Sequence, residues 1–248
     1  MEEKFREFFR DKTYIKIKNS LFNYKNRKEQ IKKYFLKFTD LNKLKQNDFS
    51  IMDIGSGISP VSPLPKKTVY IDISPESAEI MSSWGYKAEV GNINKLKFRN
   101  NNFDVILCSE VLEHIKDYKK ALKELHRVLK KEGKIIITVP VHQRYWNVDD
   151  EFVEHYRRFE PEQLETDLKE KGFTILLSKP IGSLVERKFT LAIVKNFIKN
   201  KNKNKRINKF KFHSIMFANF ILYIILKISL LFTSRESTSI MMYVAEKN

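Results

Sequence analysis

The stretch "IMDIGSGISPVSPLPKKTVYIDIS", residues 51–74, decides the fold of this chain. A short apolar run enters a loop with Gly55 and Gly57, and a second apolar run ends at Asp72. Two buried strands joined through such a loop are typical of the nucleotide-binding half of an α/β sheet. A dinucleotide fingerprint would place a third glycine where this chain has Pro60, so the pattern argues against NAD.

Short apolar runs alternate with helix-like periods from residue 50 onward, which predicts βα units around a mostly parallel sheet. The predicted strands are Ser50–Ile54, Val69–Ile73, Ala88–Val90, Phe103–Cys108, Lys134–Val139, Phe173–Ser178 and Ser237–Ala245. Apolar periodicity predicts amphipathic helices over Arg27–Phe38 and Asp117–Lys131. Pro161 and Gly172 mark the two ends of another helix.

The net charge of +17 is concentrated in two flanking segments. Residues 1–46 contain 14 basic and 6 acidic side chains, and residues 183–212 contain 10 and 1. The sequence between them is close to neutral. We therefore divide the chain into four parts: a basic helical extension (1–46), a core (47–182), a basic and apolar helical insertion (183–236) and a last strand (237–248).

The cellular location is predicted from the first residues and from cysteine usage. The chain starts with charged residues and lacks the apolar run of a secretion signal. Its single cysteine, Cys108, lies in an apolar run, which fits a reducing compartment and a packing role. We expect a cytoplasmic protein.

The insertion contains an almost wholly apolar segment, Ile215–Phe232, which follows a lysine- and asparagine-rich run. In it Asn219, Tyr223 and Lys227 fall four residues apart and form one narrow polar stripe on a helix. A helix lying in a membrane surface, a lid over the site and a transmembrane span are the three interpretations. The favoured one is an anchor on an anionic membrane surface through 183–232, because a single crossing would separate strands of one sheet.

Asp53 and Asp72 are the two acids in the strands of the opening stretch. An acid inside an apolar strand, such as Asp53, needs a partner, either a ligand ammonium group or the amides of the loop. Asp72 ends its strand, where a carboxylate can accept hydrogen bonds from both hydroxyls of a ribose. Because the loop glycines also let a ligand approach the backbone, the stretch predicts a cofactor site.

Several motifs that occur in order resemble the class I S-adenosylmethionine-dependent methyltransferases, in particular the branch that modifies quinones, glycans and lipids. "MDIGSG" (52–57) resembles the methionine-binding loop, and "VYIDIS" (69–74) resembles the ribose-binding strand end. "FDVILCSEVLEHIKDYKKALKELHRVLKKEGKIIITVP" (103–140) resembles the fourth strand, the next helix and the fifth strand. "EHYRRFEPEQLETDLKEKGF" (154–173) is similar to the stretch that follows in this branch.

The resemblance implies a Rossmann-like, seven-stranded, mostly parallel α/β sheet with an antiparallel last strand. The N-terminal helical extension and the helical insertion before the last strand are additions to it. The implied cofactor is S-adenosylmethionine, with S-adenosylhomocysteine as the product. The residues that the resemblance assigns to the cofactor are Asp53, Gly55, Ser56, Gly57, Asp72, Ile73, Asn92, Ile93, Ser109 and Glu110.

Two features depart from the family pattern. Asn92 stands where the family usually has an acid, although an amide oxygen can still accept the adenine amino hydrogen. Three prolines between Gly57 and Thr68 preclude the long helix that usually follows the loop. We therefore expect the N-terminal helices or the insertion to cover that side of the cofactor site.

The chemistry expected is an in-line displacement at a sulfonium, which requires alignment in a dry pocket and no metal ion. His142 and His155 are the candidate bases for a hydroxyl or phenol acceptor, and hydrogen bonds that fix the loop are their alternative role. Tyr145 and Trp146 are candidate pocket walls. Arg157 and Arg158 could bind an acceptor phosphate or carboxylate, or pair with nearby acids.

The preferred acceptor is a small or lipid-linked molecule, since the insertion suggests a membrane surface. An RNA methyltransferase or nucleic-acid-binding protein is the alternative, because the flanking segments are basic. It is less favoured, since the basic run has few interleaved aromatic residues for base stacking. A non-catalytic, cofactor-binding scaffold is the third interpretation.

Overall fold

The computed structural model describes residues 19–200 and 209–248. The strands are β1 (Ile51–Ile54), β2 (Thr68–Asp72), β3 (Lys87–Val90), β4 (Phe103–Ser109), β5 (Leu129–Pro140), β6 (Phe173–Gly182) and β7 (Ile240–Lys247). They form one sheet in the order β3-β2-β1-β4-β5-β7-β6. The pairs among β1 to β5 are parallel, and β7 is antiparallel to both β5 and β6. The predicted Rossmann-like sheet with an antiparallel last strand is confirmed.

Helices cover both faces of this sheet. They are α1 (Phe22–Phe38), α2 (Leu41–Lys45), α3 (Pro75–Ser83), α4 (Tyr118–Val128), α5 (Val148–Phe152), α6 (Pro161–Glu170), α7 (Leu184–Asn200) and α8 (Lys209–Leu230). Single 3-10 turns occupy Pro65–Lys67, Leu112–His114 and Gln143–Tyr145. The proline segment after the glycine loop thus contains only one short turn, as the three prolines predict.

Alternation along the central strands divides the core into two layers, because successive side chains of a strand point to opposite faces. Met52 and Ile54 belong to the layer under α4 and α6. Ile51 and Leu107 belong to the opposite layer, which α1 closes with residues such as Phe35. All four residues of β1 are buried, as expected for a central parallel strand.

Several element boundaries differ from the sequence-based predictions, including the end of β6, which is Gly182 instead of Ser178. α4 ends at Val128, and β5 begins at Leu129 instead of Lys134. The reason is tertiary: Leu129 pairs with Phe103 and is fully buried, and the ladder resumes at Lys134 after an irregularity. α1 begins at Phe22, five residues before the predicted start, and β7 begins at Ile240 instead of Ser237.

The polar stripe of α8 contacts α1. Asn219 accepts a hydrogen bond from the backbone N–H of Phe22, with 2.7 Å between the atoms. Lys227 Nζ lies 2.9 Å from Glu29 Oε2, and Tyr223 donates to the same carboxylate. The predicted stripe is therefore a helix–helix contact that joins the insertion to the N-terminal extension.

The insertion leaves the sheet after β6 and returns at β7, so both of its ends lie at the carboxyl edge of the parallel strands. Among the described residues no helix is long and apolar enough to cross a bilayer. The two ends of the insertion lie at the edge of the sheet where the predicted site residues at the ends of β1, β2 and β4 are found.

Candidate functional site

The glycine loop after β1 forms the centre of the candidate cofactor site. Gly55 has φ +69°, and a Cβ on it would lie 2.5 Å from Val111 Cγ2, so only glycine fits. A Cβ on Gly57 would meet no atom within 4 Å, so this residue faces open space. Between them the buried Oγ of Ser56 has no hydrogen-bond partner among the described residues. An open backbone and an orphaned hydroxyl fit a ligand that approaches the loop closely.

Asp53 lies beneath this loop and is 1% exposed. Its Oδ2 accepts hydrogen bonds from the backbone N–H groups of Val61 (2.9 Å) and Ser62 (3.1 Å). Of the two partners expected from the sequence, the loop amides are therefore the ones found. Burial raises the pKa of Asp53 to about 7, although the two amide bonds oppose that shift. Contact between Asp53 and a cofactor stays a prediction.

Asp72 ends β2 and faces the glycine loop. Its Oδ2 accepts a hydrogen bond from the N–H of Gly57 (2.7 Å), and its Oδ1 accepts one from the N–H of Ser74 (2.9 Å). Ile73 is 54% exposed beside it, where an apolar side chain can pack on a nucleoside base. A narrow cleft lies between this loop and α3, lined by Gly57, Asp72 and Ala78 among others. It is too narrow to hold a nucleoside, so we expect the Asp72–Gly57 bond to open when one enters.

The predicted adenine residues follow β3. Asn92 is exposed, and its Oδ1 accepts a hydrogen bond from the N–H of Asn94 (2.8 Å). Ile93 is 5% exposed and belongs to the core layer under α4. Gly91 N–H donates to the carbonyl of Asp72, which ties this turn to the end of β2. Asn92 is thus accessible for base recognition, whereas Ile93 has mainly a packing role.

The N-terminal extension covers the proline segment, as the sequence predicted. Asn19 donates from its side-chain amide to the carbonyl of Ile58 (3.0 Å), and Ser59 Oγ donates to Asn19 Oδ1 (2.8 Å). Tyr24 donates to the carbonyl of Pro60 (2.7 Å). Burial raises the pKa of the Tyr24 phenol, so it stays a donor. The extension therefore supplies the wall that a longer helix would otherwise provide.

Ser109 and Glu110 lie where β4 ends. Glu110 has φ +56°, a conformation that costs a residue with a side chain about 1–2 kcal/mol. Its Oε1 accepts a hydrogen bond from Thr138 Oγ1 (3.0 Å), which also bonds to Ser109 Oγ (2.9 Å). Arg27 of α1 lies 3.4 Å from its other carboxylate oxygen. Strain held by several contacts is characteristic of functional positions.

His142 follows β5 and also has a left-handed backbone, with φ +63°. Its Nε2 lies 2.9 Å from the carbonyl oxygen of Arg235, and its Nδ1 lies 3.4 Å from Glu160 Oε2. Both ring nitrogens therefore face protein partners. We assign His142 the structural role, which holds the end of the insertion against the loop after β5.

His155 is held by a buried acid, Asp150. Its Nδ1 lies 2.8 Å from Asp150 Oδ1. Asp150 Oδ2 accepts a hydrogen bond from Arg158 Nε (2.9 Å), and Arg158 Nη2 forms an ion pair with Asp150 Oδ1 at 2.9 Å. Burial raises the pKa of Asp150, but the bonds from His155 and Arg158 outweigh it and hold that pKa at about 2. His155 Nε2 lies 3.9 Å from Oε1 of the fully buried Glu113.

The remaining predicted substrate residues divide into two groups. Arg158 is 7% exposed and fully engaged with Asp150, so it has a structural role instead of the predicted substrate contact. Arg157 donates to the carbonyl of Lys116 and stacks on Tyr118, and its contact with a substrate stays a prediction. Tyr145 and Trp146 are partly exposed in that loop, so their roles as pocket walls stay predictions.

Sequence reasoning missed two residues of this region. Glu113 was not selected, although an acid next to the apolar pair Val111–Leu112 is the same signal that singled out Asp53. Arg187 of α7 donates to Asp149 and to the carbonyl of Tyr145 (2.8 Å). Its partners lie about 40 residues away along the chain, and no local pattern reports such a contact.

Residues 52–137 match the sequence model of a family described as "Methyltransferase domain". An uncharacterized protein of Methanocaldococcus jannaschii is 32% identical over 140 residues, which are 55% of this chain and 60% of the relative. The uncharacterized methyltransferase YcgJ of Bacillus subtilis is 31% identical over 119 residues, which are 44% and 47% of the two chains. The chain thus spans about half the length of the curated relatives it matches. A demethylmenaquinone methyltransferase of Alkalihalophilus pseudofirmus is 36% identical over 62 residues, 23% of this chain and 26% of the relative.

Solved structures share the fold at low sequence identity. A Galdieria sulphuraria protein assigned as a sarcosine dimethylglycine methyltransferase has a TM-score of 0.61 at 14% identity and covers 90% of this chain and 85% of its own. Phosphoethanolamine N-methyltransferase 2 of Haemonchus contortus, solved with S-adenosylmethionine, has a TM-score of 0.52 at 18% identity over 84% of this chain and 51% of its own. At such identities the likeness concerns the fold alone.

Proposed function

We propose that this chain, whose core is a class I S-adenosylmethionine-dependent methyltransferase domain, transfers a methyl group from S-adenosylmethionine to a small or lipid-linked acceptor at a membrane surface. The observation that carries the proposal is the carboxyl edge of the sheet. There the glycine loop, Asp72, Ile73 and Glu110 line up at the ends of β1, β2 and β4.

The residues fit S-adenosylmethionine for three reasons. Gly57 faces open space and the buried Ser56 hydroxyl next to it has no hydrogen-bond partner among the described residues, so the amino-acid portion of the cofactor would bind here. Asp72 can exchange its amide partners for ribose hydroxyls. Glu110 stands at the end of β4, where the resemblance puts the methyl donor. When bound, the cofactor supplies an electrophilic methyl group, and the chain supplies alignment and a dry pocket.

A membrane surface is favoured by the outer side of the insertion. Opposite its polar stripe, α8 exposes an apolar face made of Phe217, Phe220, Ile221, Ile224 and Ile228. α7 adds exposed apolar residues, among them Phe189 and Ile193. Contiguous exposed apolar surface of this kind marks an interaction site.

The charge of the sequence between these two helices favours anionic lipid. The sequence from Lys199 to Lys211, which joins α7 to α8, contains seven basic and no acidic side chains. Lysines at anionic headgroups together with a buried apolar helix face are the two components of interfacial anchoring. We therefore propose a cytoplasmic protein that acts while bound to an anionic bilayer.

An apolar acceptor agrees with this location. Part of the chain is similar to a demethylmenaquinone methyltransferase, which is named for a quinone acceptor. An enzyme held at the bilayer by the insertion would meet such an acceptor at the carboxyl edge of the sheet, because the insertion starts and ends there.

Calorimetry with S-adenosylmethionine and S-adenosylhomocysteine tests the cofactor part of the proposal. We expect wild-type protein to bind both ligands, and Asp72→Ala to bind at least about tenfold more weakly, because hydrogen bonds to a charged group contribute about 1.5–3 kcal/mol. Asp48→Ala, an exposed acid at the opposite end of β1, is the matched control. No heat with wild-type protein would remove the enzyme proposal, and equal binding by Asp72→Ala would remove the site assignment.

Transfer of label from methyl-labelled cofactor tests the acceptor class. Protein is incubated with extracted membrane lipids in one reaction and with total RNA in another, and each fraction is then counted. We expect label in the lipid fraction. Label in RNA alone would overturn the lipid proposal in favour of the RNA methyltransferase alternative.

A further inference from the structure

Glu113 is the buried acid that the cofactor site leaves without a role. Its side chain is fully buried, and neither carboxylate oxygen has a hydrogen-bond partner among the described residues. Burying an ionised carboxylate without a partner costs several kcal/mol. Either a proton or a bound cation must therefore neutralise this carboxylate.

The atom that faces the Glu113 carboxylate is Nε2 of His155, and it too is a hydrogen-bond acceptor. Asp150 accepts from the Nδ1–H of His155, and Arg158 and Arg187 hold Asp150 in place. In the neutral imidazole this leaves Nε2 of His155 with a lone pair, which points toward Glu113 Oε1 across 3.9 Å. That distance exceeds the 2.7–3.2 Å of a direct N–H···O hydrogen bond. Two acceptors at this spacing call for a cation between them.

His114 completes the cluster. Its ring meets the ring of His155 edge-on, with the centroids 4.5 Å apart. One donor atom from each of Glu113, His114 and His155 lies within 4.8 Å of the others. Donors on opposite sides of one ion with bonds of roughly 2.0–2.2 Å are about 4.2 Å apart. Small side-chain rotations would bring all three atoms to bonding distance.

We propose that Glu113, His114 and His155 bind a divalent metal ion next to Glu110, at the methyl-donor end of the site. Two imidazoles and one carboxylate suit Zn²⁺, Co²⁺, Fe²⁺ or Mn²⁺ and leave coordination positions open. The Asp150–His155 bond is the outer partner that metal-bound histidines usually have. The ion would also offset the carboxylate charge in the protein interior. The sequence alone predicted no metal.

This inference deepens the proposed function and rests on it for the acceptor only. An open coordination position would hold an acceptor hydroxyl, whose proton leaves to solvent because the cation lowers its pKa. The oxygen then forms the bond to the methyl carbon while the carbon–sulfur bond breaks and its electron pair stays on sulfur. The ion keeps its oxidation state. His155 is then a ligand instead of the general base that the sequence suggested.

Metal binding is measured on tag-free, full-length protein that has been dialysed against a chelator. Co²⁺ is added in the absence of S-adenosylmethionine, its visible absorption is recorded, and Zn²⁺ is used to displace it. We expect one Co²⁺ per chain. His155→Gln and Glu113→Gln should each weaken Co²⁺ binding by about 100-fold or more, because losing only an outer partner of a ligand already costs 10–100-fold. His126→Gln, a histidine on α4 outside the cluster, is the matched control and should bind like wild type.

Circular dichroism and urea unfolding identify variants that fail to fold, and Co²⁺ binding is compared only among the proteins that do fold. No stoichiometric Co²⁺ on folded wild-type protein, or unchanged binding by folded His155→Gln, would overturn it. Because the cofactor is left out, the two proposals fail separately. Protein that binds S-adenosylmethionine but no Co²⁺ removes the metal site alone, and protein that binds Co²⁺ but no cofactor removes methyl transfer alone.

Discussion

Tyr24 donates a hydrogen bond to the carbonyl oxygen of Pro60 across 2.7 Å, and this bond joins the N-terminal extension to the proline segment of the cofactor loop. The same segment is held from below by Asp53 through the amides of Val61 and Ser62. A loop that has lost its usual helix is thus fixed from two sides. Both contacts can be removed by single substitutions.

Tyr24→Phe should lower the free energy of unfolding by about 1–3 kcal/mol, because it leaves the buried Pro60 carbonyl without a donor. Binding of S-adenosylmethionine should weaken as well, since the proline segment continues directly from the glycine loop. Urea denaturation and calorimetry measure the two effects. Tyr156→Phe removes an exposed phenol and serves as the control. Equal stability of the two variants would contradict the role of Tyr24.

Alanine substitutions at the two loop glycines should impair different properties of the protein. Gly55→Ala places a Cβ 2.5 Å from Val111 Cγ2, so we expect a strongly destabilised protein. Gly57→Ala meets no atom within 4 Å but fills the space in which we propose that the cofactor binds. Gly85 matches it, with φ +82° and equally open surroundings, and it follows the C-terminal end of α3.

Gly57→Ala and Gly85→Ala should therefore lose similar stability, about 1–2 kcal/mol for alanine in a left-handed conformation. Only Gly57→Ala should lose affinity for S-adenosylmethionine. Thermal melting and calorimetry on the same three samples, Gly55→Ala included, separate the two losses. Cofactor binding that is equal in Gly57→Ala and Gly85→Ala would show that the ligand does not approach the loop.

Stability should fall as pH rises because of Asp53. Burial raises its pKa from 3.8 to about 7 in the folded protein, while Lys28 opposes and Asp72 reinforces the shift. Between these values the folded protein binds a proton that the unfolded chain has lost, so the contribution is present at low pH and is lost as pH rises toward 7. Over this range the contribution of Asp53 to the free energy of unfolding falls by about 1.4 kcal/mol per pH unit.

Urea unfolding of wild type and Asp53→Asn at several pH values between 5 and 8 measures this contribution. The difference in unfolding free energy between the two proteins should change with pH, with wild type losing more stability as pH rises. Glu186, whose pKa burial raises to about 8, gives both proteins a similar background slope. A difference that does not vary with pH would rule out the shift in Asp53.

The apolar face of α8 should carry membrane binding. We expect wild-type protein to sediment with vesicles rich in anionic phospholipid, and Phe220→Ser, Ile224→Ser and Ile228→Ser combined to abolish it. Trp84→Ser removes an exposed apolar side chain on α3's end and is the control. Raising the salt concentration should weaken binding by wild type, because screening reduces the attraction of lysines to headgroups. If wild-type protein does not sediment with these vesicles, the proposed membrane anchor is wrong.

Asn219 caps α1 from another part of the chain. Leu21, at the N-cap position, gives no side-chain hydrogen bond, and Asn219 accepts the N–H of Phe22 instead. Asn219→Ala should therefore free the first turn of α1, at a cost of about 0.5–2 kcal/mol. Hydrogen exchange at Phe22 should speed up in this variant. Unchanged exchange there would mean that other contacts hold the turn.

The sheet and the cofactor loop could be predicted because their signals are local. Pro60 and its neighbouring prolines exclude a helix wherever they occur, and buried strands such as β1 are uniformly apolar apart from Asp53. The spacing of Asn219 and Lys227 likewise predicted one polar face. It could not predict that this face contacts Asn26 and Glu29. The spacing of residues shows which side chains share a face of the helix, but it does not show which other element that face contacts.

The acidic and basic groups around His155 could not be sorted from sequence. The sequence leaves two roles open for Arg158, binding an acceptor or pairing with nearby acids, and the structure shows the pairing with Asp150. Glu113 receives no role from the sequence. The same residue types allow more than one set of ion pairs. The set that forms depends on where the ends of the strands place each charged side chain. The start of β5 at Leu129 has the same kind of cause, since its pairing with Phe103 is a tertiary contact.

The order of the strands and the cap on α1 also govern how the chain is made. β7, the last strand synthesised, lies between β5 and β6, so both of those edges stay unpaired until it arrives. Asn219 follows Phe22 by 197 residues, which a ribosome needs roughly 10–40 s to add. The glycine loop is therefore synthesised well before Asn219, the residue that fixes its cover. A cofactor molecule that reached the unfinished chain would meet a loop whose cover is not yet tied to α8 and a sheet whose edges are still unpaired.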